Sequence, residues 1–283
     1  MSDISDNTPP IDVIFIQCPG HSGSTLLDLL IGGHDGITSG GEFRTWNKQL
    51  NNQCTCGAPS VRDCPFWQAV NSDIESYGYD IADIEQHGRD TDDFTDFNFR
   101  LFRAMQTQSG ASVILDSSKR PKRLKQLLAH PDTFNVRIIL LAREPLGVLA
   151  SNRRKGLGLL KALRRIYLGH ITQLRFTGKE AVFVNYARLA QAPEATLRQL
   201  MPALGLEFQA DQLHPENHVY HNLGGNRMRK KPIQGISHDK RWKTELNMKE
   251  KILGRLYLIP ACCLILIIRG LYTLNNKSKR DKA

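Results

Sequence analysis

The sequence of 283 residues is poor in several features that would point to particular functions. Aromatic residues make up only 7% of it, which offers no row of stacking rings for single-stranded nucleic acid. Its start is polar and acidic, without the basic region and apolar core of a secretion signal. Internal repeats are also lacking. We therefore expect a cytoplasmic protein that is neither a repeat array nor a nucleic-acid binder, with disorder over residues 1–10.

The overall charge is strongly positive. The formal net charge is +10, and the isoelectric point is about 9.4. A basic surface favours anionic partners such as a nucleotide, an acidic glycan or an anionic membrane. Hydrophobic residues make up 41% of the chain, enough for the core of one large α/β domain or two small ones.

The stretch from Ile11 to Ile31 predicts a strand, a small-residue turn and a helix. Ile11–Ile16 is a β-branched apolar run typical of a buried strand, and Leu26–Ile31 is typical of a helix packed on a sheet. The turn between them, from Pro19 to Thr25, is rich in glycine and hydroxyl residues. Backbone N–H groups at such a turn, together with the helix dipole, favour an anionic group.

The turn lacks one residue of the common nucleotide-triphosphate motif. Gly23 is followed by Ser24, where G-x-x-x-x-G-K-[ST] has its lysine. Without it, a kinase that handles a β- or γ-phosphate is a weaker interpretation. Two further interpretations are a turn without a ligand and a non-catalytic basic protein that binds a membrane or nucleic acid.

The segment His21-Ser22-Gly23-Ser24-Thr25-Leu26-Leu27 resembles the 5′-phosphosulfate loop of the sulfotransferases that use 3′-phosphoadenosine 5′-phosphosulfate (PAPS). The family usually has Arg or Lys where His21 stands. The resemblance implies a phosphate-loop α/β fold, a three-layer sandwich around a mostly parallel sheet. It implies sulfuryl transfer from PAPS to a hydroxyl or amine of an unidentified acceptor (a glycan, lipid or small metabolite), with no metal required. The implied binding residues of the loop are Gly20, His21, Ser22, Gly23, Ser24 and Thr25.

A second block of residues supports the same resemblance. The apolar run Val136–Ala142 predicts a buried strand that ends at Arg143, and Ser151 follows eight residues later. In the family, an Arg and a Ser at this spacing bind the 3′-phosphate, although Arg143 could instead form a simple salt bridge to Glu144. Asn226 and Arg227 resemble a late basic loop of the family that folds over the nucleotide.

Three residues are implied to carry the chemistry. Glu42 follows Gly40-Gly41, where the family has a carboxylate that takes the acceptor proton. Lys119 follows a short predicted strand, where a family lysine offsets charge on the transferring group and the leaving phosphate. His21 would share that role. Glu42 could instead be a surface glutamate, and Lys119 could lie on the solvated face of the next helix, where we also expect Arg123.

Cys54, Cys56 and Cys64 form a C-x-C…C cluster. It resembles a segment of similar bacterial sulfotransferases, but its role stays open. Three cysteines fall one ligand short of a structural zinc site, and the fourth would have to be a His from elsewhere. The cysteines could also form a disulfide or simply be buried thiols.

The C-terminal part is apolar and then basic. Ile252–Ile268 is apolar but interrupted by Arg255 and Pro260, and a basic tail follows. It is short for a membrane helix. A terminal helix docked on the core and a peripheral membrane contact through residues 252–282 are the two interpretations. We therefore divide the chain into a sulfotransferase domain over residues 11–250 and this segment over residues 251–283.

Overall fold

The computed structural model describes residues 8–43, 48–84, 93–176, 181–224 and 235–280. Asn226 and Arg227, predicted to contact the nucleotide, lie outside the described residues, as does most of the N-terminal stretch predicted to be disordered.

Five strands form a single sheet with the order β2-β3-β1-β4-β5. The pairs β1–β3, β2–β3 and β4–β5 are parallel. With helices on both of its faces, this sheet confirms the predicted α/β class. The strands are β1 (Ile11–Gln17), β2 (Ile37–Gly41), β3 (Val113–Asp116), β4 (Phe134–Ala142) and β5 (Val182–Asn185).

Ten α-helices are found in the described part of the chain. Prolines occupy the first position of four of them, where the missing N–H costs no hydrogen bond. The helices are α1 (Ser24–Gly32), α2 (Pro65–Glu75), α3 (Phe94–Ser109), α4 (Pro121–Ala129), α5 (Pro145–Arg154), α6 (Leu159–Leu174), α7 (Tyr186–Gln191), α8 (Pro193–Ala203), α9 (Trp242–Glu245) and α10 (Met248–Arg280).

The chain divides into two compact units, each assembled from separate segments. The first unit comprises Met1–Ile16, Thr25–Arg137 and Phe208–Ile233, and the second comprises Gln17–Ser24, Ile138–Glu207 and Gln234–Ala283. The first has an aromatic-rich core, whereas the core of the second is mainly aliphatic and draws on α5, α6 and α10. The division at residues 250 and 251 that the sequence suggests stays a prediction.

The helix α10 docks within the second unit through small and aliphatic residues. A Cβ on Gly254 would lie 2.9 Å from Leu146 Cδ2, and Leu258 is fully buried. Its other side exposes large apolar residues, Leu256 and Leu266 among them. Among the described residues, no helix combines the length and hydropathy needed to span a membrane. A docked helix is thus observed for the first half of the segment, and peripheral membrane contact stays a prediction.

Arg123 corrects one expectation from the sequence. It is not on a solvated face but 3% exposed, with its Nε 2.6 Å from Asp116 Oδ2. Its guanidinium carbon lies 4.9 Å from the ring centre of Phe43 and within 6 Å of two further phenyl rings. The aromatic faces attract the positive charge where water is absent. Helix periodicity alone could not reveal this partner, because Asp116 belongs to the preceding strand.

We expect Arg123→Ala to lower the free energy of unfolding by about 3–5 kcal/mol, because it leaves the buried carboxylate of Asp116 without its counter-ion. Urea denaturation of the whole chain measures this loss. Lys122→Ala, at an exposed position of the same helix, is the matched control and should change the value by less than about 0.5 kcal/mol. Equal losses in the two variants would contradict the buried ion pair.

Candidate active site

The loop after β1 has an alternating left-handed backbone. His21 and Gly23 have φ angles of 70° and 93°, and α1 begins at the next residue, Ser24. Left-handed residues between right-handed or extended ones turn successive backbone N–H groups toward one point. A non-glycine residue in this conformation is rare and is found mainly where function requires it. The strand–loop–helix prediction is therefore confirmed, with the strain concentrated at His21.

The glycines of this loop are closely surrounded within the second unit. A Cβ on Gly23 would lie 2.2 Å from Cδ2 of Tyr186, and one on Gly20 would lie 3.1 Å from Nη2 of Arg165. Arg165 thus brings positive charge to the loop from α6. The hydroxyl of Ser22 is completely buried, with no hydrogen-bond partner among the described residues. The positions of Gly20 and Gly23 therefore leave little room for a side chain, and the hydroxyl of Ser22 could donate to a bound anion.

Arg143 follows β4 and turns back toward the loop. Its Nη1 donates to the carbonyl oxygen of His21 at 3.4 Å, and its guanidinium carbon lies 4.5 Å from the ring centre of Tyr186. A Cβ on Gly147 would come within 2.8 Å of Arg143 Nε, so this position must be glycine for the guanidinium to fit. The side chain is only 7% exposed. The predicted binding residue Ser151 is half-buried in the second turn of α5.

Two carboxylates accompany Arg143. Asp239 Oδ2 lies 3.4 Å from its Nη2, and Glu144 Oε1 lies 3.6 Å from its Nε. Hydrogen bonds from Arg241, with a smaller contribution from the charge of Arg143, hold the pKa of Asp239 below its usual range. The salt bridge to Glu144 considered from the sequence is therefore present, but it is only one of several contacts. Asp239 was missed, because nothing in its local sequence links it to β4.

Glu42 and Lys119 form a close ion pair within the first unit. Glu42 Oε1 and Lys119 Nζ are 2.5 Å apart, and both side chains are nearly buried. The strand register explains why Glu42 and Lys119 are close, because Gly41 pairs with Asp116 in the parallel strands β2 and β3. Lys119 has a φ of 58°, and α4 begins only at Pro121. Lys119 is therefore not on the face of that helix, which excludes the solvated position considered from the sequence.

The backbone of Glu42 is held by a distant segment, residues 220–223. Glu42 N–H donates to the carbonyl of Leu223 at 2.7 Å, and Leu223 N–H donates to Gly40 at 3.1 Å. One residue earlier, Asn222 donates to Asp28 Oδ1 at 2.6 Å, and Ser39 donates to the same oxygen. The buried carboxylate of Asp28 thus fixes both β2 and the segment that orients Glu42.

The three cysteines singled out in the sequence meet a histidine of the same segment. Cys56 Sγ lies 3.6 Å from Cys64 Sγ, which lies 3.1 Å from His221 Nδ1. With Cys54, the four ligand atoms all lie within 4.8 Å of one another. Hydrogen bonding to Cys64 and burial raise the pKa of Cys54 to about 12, whereas the hydrogen bond from Cys54 lowers the pKa of Cys64. His221 is the possible fourth ligand, which the sequence alone could not identify.

The parallel sheet, the glycine loop at a helix start and the buried arginine beside it define an α/β protein with a loop suited to an anionic group. A model of the sulfotransferase family matches residues 12–210, most of the chain, and the chain belongs to that family. It is accordingly an enzyme of the sulfuryl-transferring class. No curated protein matches the chain.

Two solved structures share its fold. The sulfotransferase domain from the curacin biosynthetic pathway is 19% identical and aligns over 89% of this chain and 98% of its own, with a TM-score of 0.51. The sulfotransferase domain of the Synechococcus PCC 7002 olefin synthase is 18% identical and aligns over 90% and 97%, with a TM-score of 0.53. At these identities the likeness concerns the fold alone.

Gly23→Ala should destabilise the protein more than Gly156→Ala. Both positions have left-handed φ angles, but a Cβ on Gly156 meets open space whereas one on Gly23 would collide with Tyr186. We expect about 1–2 kcal/mol for the backbone strain alone at Gly156 and a further 1–3 kcal/mol or so for the collision at Gly23. Urea unfolding measures both. Equal losses would show that Tyr186 does not pack against the loop.

Proposed function

We propose that this chain transfers a sulfuryl group from PAPS to a hydroxyl or amine of its acceptor. The observation that carries the proposal is the contact of Arg143 Nη1 with the backbone of His21, 3.4 Å away. The 3′- and 5′-oxygens of PAPS belong to one ribose, so the groups that bind its 3′-phosphate and its 5′-phosphosulfate have to lie close together. The sequence predicted these two roles for Arg143 and the loop, and their closeness supports that assignment.

The loop Gly20–Thr25 is the proposed site of the 5′-phosphosulfate. Backbone N–H groups and the start of α1 favour the anion, and the buried hydroxyl of Ser22 offers one further donor. His21 and Arg165 supply positive charge at the loop, a task that a lysine performs in nucleotide triphosphatases. Protonated His21 would be favoured by the bound anion, since the unperturbed pKa of an imidazole is about 6.5.

Arg143 and Ser151 are the proposed site of the 3′-phosphate. A guanidinium binds a phosphate through two parallel N–H groups, and a serine adds a hydroxyl donor. Asp239 occupies part of this guanidinium, so the phosphate and the Asp239 carboxylate compete for it. Asp239 contacts only Nη2, through its backbone carbonyl and its carboxylate, whereas Nε has no hydrogen-bond partner among the described residues and could donate to the phosphate.

Glu42 is the proposed general base, and Lys119 the proposed cation beside it. Lys119 holds the carboxylate of Glu42 in place through this ion pair, and an ionised carboxylate can accept the proton of the attacking hydroxyl or amine. Once the proton has been transferred, the ammonium group is released from its counter-ion and can offset charge on the leaving phosphate. Transfer requires no metal, because a sulfuryl group carries less charge than a phosphoryl group.

Glu42→Gln should lower the rate of transfer by about 100-fold or more, because the amide cannot accept the proton. The measurement is transfer of labelled sulfate from PAPS to a panel of sugar, lipid and small-metabolite acceptors. Affinity for 3′-phosphoadenosine 5′-phosphate should stay unchanged. Glu75→Gln, an exposed carboxylate of α2, is the matched control. Unchanged turnover in Glu42→Gln would remove Glu42 as the base.

Arg143→Ala should weaken binding of 3′-phosphoadenosine 5′-phosphate by roughly ten- to a hundredfold, the cost of a lost charge-assisted contact. Isothermal titration calorimetry measures the affinity. Arg154→Ala is the matched control, since Arg154 is an ion-paired arginine at the C-terminal end of α5, the helix that follows Arg143. Adenosine 5′-phosphate, which lacks the 3′-phosphate, should bind both variants alike. An unaltered affinity in Arg143→Ala would undo the assignment.

A further inference from the structure

We propose that Cys54, Cys56, Cys64 and His221 together bind one structural Zn²⁺ ion. A tetrahedral zinc with Zn–S distances of about 2.3 Å and a Zn–N distance of about 2.0 Å places its ligand atoms about 3.5–3.8 Å apart. The observed separations are 3.6 Å between the sulfurs of Cys56 and Cys64 and 3.1 Å between Cys64 Sγ and His221 Nδ1. None of the four ligand atoms is more than 4.8 Å from another. The cluster thus needs only small adjustments to accept the ion.

The backbone presents the first two cysteines on a tight turn. Gly57 N–H donates to the carbonyl of Cys54 at 3.1 Å, and Gly57 has a φ of 97°, which a side chain would disfavour. The hydroxyl of Thr55 donates to the carbonyl of Tyr220 at 2.6 Å and ties this turn to the segment that contains His221. Cys64 immediately precedes α2, whose start favours a thiolate.

The imidazole of His221 is oriented by its neighbours. The ring of Phe66 stacks on it, with 4.5 Å between the ring centres and 15° between the planes. Trp67 Nε1 donates to the backbone carbonyl of His221 at 2.8 Å. Both aromatic residues belong to α2, the helix that begins just after Cys64. Because the ring is fixed, Nδ1 faces the sulfur atoms without the entropy cost of ordering a free side chain.

The donor set favours zinc in a structural role. Three thiolates and one imidazole form a closed tetrahedral set, which leaves no open position for a substrate. Cys54 and Cys64 are buried, and the remaining two ligands are half-buried. A disulfide between Cys56 and Cys64 is the competing arrangement, but it would need the sulfurs to approach to about 2.05 Å and would use only two of the four groups.

The ion would join two distant parts of the first unit. It would link the turn at Cys54–Cys56 and the start of α2 to His221, which lies two residues before Leu223. Because Leu223 accepts the hydrogen bond from the backbone of Glu42, the metal would also steady the candidate base from a distance. This role concerns stability and positioning, and the binding of zinc itself does not depend on the proposed sulfuryl transfer.

The metal content of the full-length chain, purified from zinc-supplemented cells without a metal-affinity tag, tests the proposal. Elemental analysis should find about one zinc per chain. Cys56→Ser and His221→Asn should lower that ratio at least several-fold. Cys263→Ser, an exposed thiol outside the cluster, and His218→Asn, three residues from His221, are the matched controls and should retain the metal. Retention of zinc in both cluster variants would overturn the proposal.

Two measurements on the unaltered chain test the zinc proposal even if the cluster variants fail to fold. Replacement of the ion by Co²⁺ should give the intense visible bands of tetrahedral thiolate coordination, and chelation should lower the melting temperature. Protein alkylated at lysis and analysed by mass spectrometry should contain no Cys56–Cys64 disulfide. Absence of bound zinc together with failure to bind added Zn²⁺ or Co²⁺ would overturn the proposal, as would the disulfide.

Discussion

Two backbone hydrogen bonds between Leu223 and the end of β2 control the position of the candidate base. The carboxylate of Glu42 is buried beside Lys119, and a buried carboxylate is stable only while its counter-ion and its backbone stay in place. The register of β2 and β3 brings Lys119 next to Glu42, and Leu223 accepts the hydrogen bond from the backbone N–H of Glu42. The buried Asp28 then holds that segment through Asn222. A change in any of these contacts would alter the position of the candidate base, even though none of them is made by Glu42's own carboxylate except the ion pair with Lys119.

In the second unit, the positive charge of Arg143 is buried and has to be compensated by its neighbours. A buried guanidinium costs several kcal/mol to desolvate unless its donors are satisfied. The carbonyls of His21 and Asp239, the face of Tyr186 and the carboxylate of Asp239 compensate part of this cost, although Nε has no hydrogen-bond partner among the described residues. Under the proposed function, a dianionic phosphate would compete with the carboxylate, because it offers more charge and more acceptor oxygens to the same donors. Asp239 thus holds the guanidinium in place, and the proposed phosphate would have to compete with it.

The sequence was most informative where chemistry is local. The loop His21–Thr25 and Arg143 follow apolar runs that stop at small or charged residues, whereas Glu42 and Lys119 were singled out by the family resemblance. The partners that required the fold were those joined across long separations in the chain. His221 completes the cysteine cluster and Asp239 reaches Arg143, but neither lies in a local pattern that names its partner. Arg123 was wrongly predicted to be exposed, because its buried partner, Asp116, belongs to another element.

The loop without a lysine is consistent with the charge of the group it is proposed to hold. In a phosphoryl transfer, a lysine and a magnesium ion together offset the several negative charges on the terminal phosphates. A terminal sulfuryl group carries one negative charge, and a loop of N–H groups and hydroxyls with His21 and Arg165 close by is better matched to it. Excess fixed positive charge would bind the doubly charged leaving phosphate too tightly and slow its release. The same small residues that weaken the case for a kinase therefore support a sulfuryl transferase.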